Sequence, residues 1–104
     1  MAEDRGVEHM DFSGSGTKTI TVDSDEYINF YQLDISIDND TTIEVTIGSQ
    51  IVFHGNMIAT AAPVQLFFID FGNGRGTGVK GDNLNVALGD SGHVFVVYKK
   101  INEE

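Results

Sequence analysis

The chain has 104 residues, no cysteine, and 16 acidic against 6 basic residues, for a formal net charge of -10. That length accommodates one domain with a modest, self-sufficient core, and the missing thiols exclude disulfides, thiolate metal sites and cysteine catalysis. The negative charge opposes nucleic acid and anionic membrane as partners, because phosphate contacts need clustered Lys and Arg.

Residues 1–16 (MAEDRGVEHMDFSGSG) are polar and acidic and end in a Ser/Gly run, whose backbone entropy disfavours the interior of a regular element. They read as a flexible N-terminal arm without an apolar run of signal-peptide length. Phe12, just ahead of the Ser/Gly hinge, supplies an apolar anchor by which such an arm grips a neighbouring subunit. No stretch of the chain reaches the length of a membrane-spanning helix. From residue 17 to 104, β-branched and aromatic residues recur in short runs punctuated by Gly, Asn and Asp, with no sustained stripe at helical spacing. A single all-β domain follows.

Its strands are predicted as follows. Residues 18–22 (KTITV) alternate and are closed by Asp23-Ser24-Asp25. Residues 27–37 (YINFYQLDISI) form a long strand whose apolar parity changes between Ile28/Phe30 and Tyr31/Leu33/Ile35/Ile37, which predicts a β-bulge or bend near Phe30. Asp38-Asn39-Asp40 has the chemistry of a hairpin turn. Residues 42–47 (TIEVTI) alternate most cleanly, with Ile43, Val45 and Ile47 inward. Residues 50–54 and 56–60 read as two shorter strands split by Gly55, and the small residues before Pro63 as a loop crossing the core. Residues 64–71 (VQLFFIDF) are apolar on both parities, as in a strand covered on both faces or lying at a subunit contact. Adjacent Phe67 and Phe68 must point oppositely, so one of them is a candidate for contact with another chain. Residues 84–88 (LNVAL) and 93–101 (HVFVVYKKI) complete about eight short antiparallel strands, the inventory of a β-sandwich of jelly-roll type.

The candidate chemistry is sparse. GTGVKG, residues 76–81, matches G-x-G-x-x-G and follows a strand. A dinucleotide loop needs its last glycine to open a helix, whereas Asp82 and the period-2 run 84–88 follow here. Lys80 precedes Gly81 and not Ser or Thr, which excludes a Walker-type loop. The segment GNGRGTGVKGDN, residues 72–83, is therefore a connection between strands. Its Arg75 and Lys80 are two of the six cations and are candidates for touching an acidic patch on a neighbour. Asp34, Asp38 and Asp40, and separately Asp23, Asp25 and Glu26, invite a calcium reading, but the spacing of an EF-hand loop is absent and both groups read as solvated turns. His9, His54 and His93 lie far apart in sequence without a second ligand at metal spacing. No nucleophile elbow or Ser/His pattern appears. The chain is read as a non-enzyme without a cofactor.

The run 64–71, the loop ending TGVKGD, the strand NLNVAL, the turn at Gly92 and the closing strand ending Val96-Val97-Tyr98 together resemble small β-sandwich virion proteins of tailed bacteriophages, of the capsid decoration or cement type. The resemblance covers residues 64–101. It implies a jelly-roll-like sandwich that binds the major capsid protein or another virion protein and neighbouring copies of itself, often as a homotrimer. It also implies a place in the virion, assembled in the host cytoplasm. The alternative carried by the residues alone is a small glycan- or protein-binding module of a tail or fibre.

Overall fold

The alternating pattern resolves into eight strands in a computed structural model of the chain, which describes residues 6–58 and 65–102 apart from the side chains at 65–68 and 73. In chain order they are β1 (Gly6–Phe12), β2 (Gly16–Ile20), β3 (Glu26–Ile37), β4 (Thr41–Ile47), β5 (Gln50–Met57), β6 (Gln65–Arg75), β7 (Leu84–Leu88) and β8 (Gly92–Asn102). One sheet has the order β1-β8-β3-β6 and the other β2-β7-β4-β5. Every pairing is antiparallel. This is the strand order of a jelly roll, two four-stranded sheets packed face to face.

The core lies between the sheets and follows from the period-2 geometry of strands, which turns every second side chain inward. Ile43, Val45 and Ile47 of β4 and Leu84, Val86 and Leu88 of β7 face Leu33, Ile35 and Ile37 of β3 and Val94 and Val96 of β8, all buried. Each such aliphatic side chain contributes about 1.5–3 kcal/mol by leaving water.

The bulge expected near Phe30 is present. The register of β3 against β8 passes from Phe30↔Tyr98 to Gln32↔Val97, leaving Tyr31 as the extra residue. Against β6 it passes from Phe30↔Arg75 to Gln32↔Asp70, so that residues 71–74 arch opposite Tyr31. This carries β6 past residue 71, where the apolar run ends, into the glycine-rich segment. Gly72 and Gly74 take positive φ values of 66° and 96° there, and a side chain at Gly74 would meet the Tyr31 ring, with its Cβ 2.6 Å from Cε1. Asp70 Oδ1 accepts the Gly72 amide hydrogen bond at 2.8 Å.

Two other expectations are corrected. The strand expected to break at Gly55 is continuous, with Gly55 paired to Ile43; the irregularity falls at Val52, between the pairs Val45↔Phe53 and Thr46↔Ile51. The segment expected as part of a flexible arm contributes β1, paired with β8 from Gly6↔Tyr98 to Phe12↔Gly92. Its physical reason is that Met10 and Phe12 share one parity and both enter the core. The residues before Pro63 lie outside the described part of the chain.

Candidate functional site

At the β1–β8 edge, the parity that buries Met10, Phe12, Val94 and Val96 leaves His9, Asp11, His93 and Phe95 on the outer face. The register places Asp11 opposite His93 and His9 opposite Phe95, and side chains at i and i+2 of one strand share a face. Three polar groups therefore converge from two rigid, paired backbones. His93 Nδ1 lies 2.5 Å from Asp11 Oδ1, and His9 Nε2 lies 2.7 Å from the same oxygen. The His9 ring stacks on Phe95 at a centroid distance of 4.4 Å and an angle of 8°, and the His93 ring is 5.6 Å away.

The His93 hydrogen bond holds the Asp11 carboxyl below its ordinary range; the charges of His9, His93 and Lys18 act in the same direction and partial desolvation opposes them. All three polar groups are exposed, and their ligand atoms lie within 4.8 Å of one another. The cluster is able to hold a proton between groups or to coordinate a cation. It was hidden in the sequence because 82 positions separate Asp11 from His93. The available signal was the alternation His9/Asp11 against Met10/Phe12, which marks a two-faced strand.

The other residues singled out by sequence do not gather here. Phe12, expected as an anchor on a neighbour, is 6% exposed and belongs to this chain's own core. The backbones of Phe67 and Phe68 pair with Ile35 and Asp34, and their side chains lie outside the described part. Arg75 is exposed, but its Nη1 donates to the Val52 carbonyl at 2.7 Å and its guanidinium covers the Phe71 ring. It borders a recess of about 350 Å³ lined by Gln50, Ile51, Val52, Gly74 and Gly76. Lys80 is exposed in the connection between β6 and β7. The two acidic turns sit at opposite ends of β3 and cannot join in one site. Asp25 accepts from Asn102 at 3.2 Å, and Asp38 accepts from Ser91 at 3.2 Å.

The outer face of the other sheet is different. Thr19 Oγ1 donates to Asn85 Oδ1 at 2.6 Å, and Asn85 Nδ2 donates to Thr46 Oγ1 at 3.4 Å, a polar ladder across β2, β7 and β4.

No protein-family model matches the chain, and a search of curated proteins found no match. Among solved structures, the fold is similar to part of the insecticidal delta-endotoxin Cry8Ea1 from Bacillus thuringiensis, with a TM-score of 0.54 and 14% sequence identity over 93% of this chain. The chain spans 20% of that protein's length. At that identity the likeness is one of fold alone, and a shared sandwich carries no function with it.

Proposed function

We propose that the chain is a non-enzymatic structural protein of a tailed-bacteriophage virion, a capsid decoration or cement protein that binds the coat-protein lattice and neighbouring copies of itself. The reading is supported by the jelly-roll strand order, which recurs in viral capsid domains, and by the resemblance of residues 64–101. The observation that carries it is a pair of exposed apolar side chains at one sheet edge. The outer face of the β2-β7-β4-β5 sheet bears the polar Thr19–Asn85–Thr46 ladder, with Ile51 exposed on its edge strand β5. The other exposes Val7 to 63% and Phe95 to 41% beside His9, at a sheet edge formed by β1. Exposed apolar side chains grouped at an edge suit the centre of a protein contact, where aromatic residues are enriched.

The test is light scattering of the purified protein together with co-sedimentation on expanded capsids. The expected result is an oligomer, with a trimer favoured, and saturable binding that Val7→Asp and Phe95→Ser weaken. A strict monomer that leaves capsids bare overturns the reading.

A second reading, a glycan-binding module of a tail or fibre, is favoured by the exposed, mutually stacked rings of Phe95 and His9 with the Asp11 carboxylate beside His9, since exposed rings next to hydrogen-bonding groups can receive a sugar. A glycan screen with and without calcium separates the two, because only this reading expects a Phe95-dependent signal without any capsid.

A further inference from the structure

We propose that His9, Asp11 and His93 form a binding site for a divalent transition ion of the zinc class on the outer face of the β1–β8 pair. The proposal is independent of assembly on a capsid and holds for the isolated chain.

The donor set selects the ion. Two imidazole nitrogens and one carboxylate oxygen suit zinc and its first-row neighbours, whereas calcium and magnesium take oxygen ligands in larger numbers. Three protein ligands leave a tetrahedral ion one open position, and all three side chains here are exposed, so that position faces solvent.

The geometry is close to what an ion requires. Bonds of 2.0–2.2 Å put neighbouring ligand atoms of a tetrahedral zinc roughly 3.3 Å apart. Asp11 Oδ1 is 2.7 Å from His9 Nε2 and 2.5 Å from His93 Nδ1, and no two of the three ligand atoms are more than 4.8 Å apart. Admitting the ion therefore needs the two Asp11 contacts to open by less than about 1 Å and the two imidazole nitrogens, at most 4.8 Å apart, to close by no more than about 1.5 Å, which exposed side chains achieve by changes in torsion. The backbones need not move, since Asp11 and His93 are already direct cross-strand partners.

Two further features favour the site. Stacking on Phe95 orients the His9 ring before any ion arrives, the part that outer-shell contacts play at metal sites. The acidic balance of the whole chain, -10, raises the local concentration of cations. Lys18 is the opposing charge near Asp11.

The experiment is calorimetric titration of the full chain with zinc chloride, after chelation and dialysis at near-neutral pH, with calcium chloride as a parallel arm. NMR of the histidine ring protons is followed on the same samples. One zinc per chain is expected, with the ring signals of His9 and His93 shifted and that of His54 unmoved. Affinity should fall at least about ten-fold in His9→Ala and in His93→Ala, as even outer-shell losses do, and stay unchanged in His54→Ala. Calcium should not compete. An absence of heat and of ring shifts at millimolar zinc overturns the site, and so does binding that survives either of the first two variants or vanishes in His54→Ala. If a variant fails to fold by circular dichroism, the ring shifts of the unaltered chain decide the matter.

Discussion

The guanidinium of Arg75 ties the two sheets together at one side of the sandwich: from the end of β6 it donates across 2.7 Å to the carbonyl of Val52 on β5 and lies 4.9 Å from the Phe71 ring centre. Strands β6 and β5 are edges of opposite sheets, and Val52 is the bulged residue of β5, so the irregularity in one strand meets the end of another. An exposed charge-assisted hydrogen bond with a ring contact stabilises by about 1 kcal/mol. Arg75→Ala is expected to lower the unfolding free energy by that amount, seen as a lower urea midpoint at an unchanged slope, and Arg75→Lys, which lacks the planar fork, to recover only part. Equal midpoints for all three proteins would return Arg75 to a role between molecules.

Phe12→Ala distinguishes a docked strand from an arm. With its ring in the core, truncation leaves a cavity and is expected to cost about 3 kcal/mol, whereas an arm residue would cost nothing. Thermal unfolding of the two proteins side by side measures the difference.

The glycine-rich segment makes a prediction about order. A Cβ on Gly76 would come within 2.6 Å of the Ile28 carbonyl oxygen, a backbone atom that cannot swing aside. Gly76→Ala is therefore expected to cost about 1–3 kcal/mol by overpacking. Gly78 has open space around it and a φ of +71°, so Gly78→Ala costs about 1 kcal/mol through left-handed strain alone. Denaturation midpoints should place Gly76→Ala below Gly78→Ala, and the reverse order would refute the packing role of Gly76.

These residues also show what the sequence could and could not disclose. The strand LNVAL was legible to the residue, because Leu84, Val86 and Leu88 are all buried and turn residues bound the run. The bulge was legible because the apolar parity on either side of Phe30 disagrees, and only an inserted residue restores it. Strand β1 was not, because the acidic Glu8 and Asp11 and a following Ser/Gly run outweighed two inward residues, Met10 and Phe12. With β1 went the site, since His9 and Asp11 meet His93 only through pairing between the two ends of the chain, and no local pattern encodes that register. The continuation of β6 through Gly72 and Gly74 was hidden for a related reason. Glycine signals a break locally, and only Tyr31, packed against Gly74 from another strand, shows why the strand resumes.

Acid should act on the β1–β8 edge through Asp11. An aspartate in an unfolded chain titrates near about 3.9, and the His93 hydrogen bond holds the native carboxyl below its reference value of 3.8. A depressed native pKa means that the unfolded state binds the proton more tightly. The carboxylate therefore adds stability that is fully present above the unfolded value and is lost as pH falls through the native one. The affected window lies below about pH 4, and neutral pH is untouched by it. In chelator-treated protein, a carbon-detected NMR titration should give Asp11 a midpoint under 3.8. His93→Ala should move that midpoint upward, because it removes the largest cause of the shift. His54→Ala should leave it in place. An Asp11 midpoint at or above the reference value, or one indifferent to His93→Ala, would mean that the 2.5 Å contact between the two strands does not persist in solution.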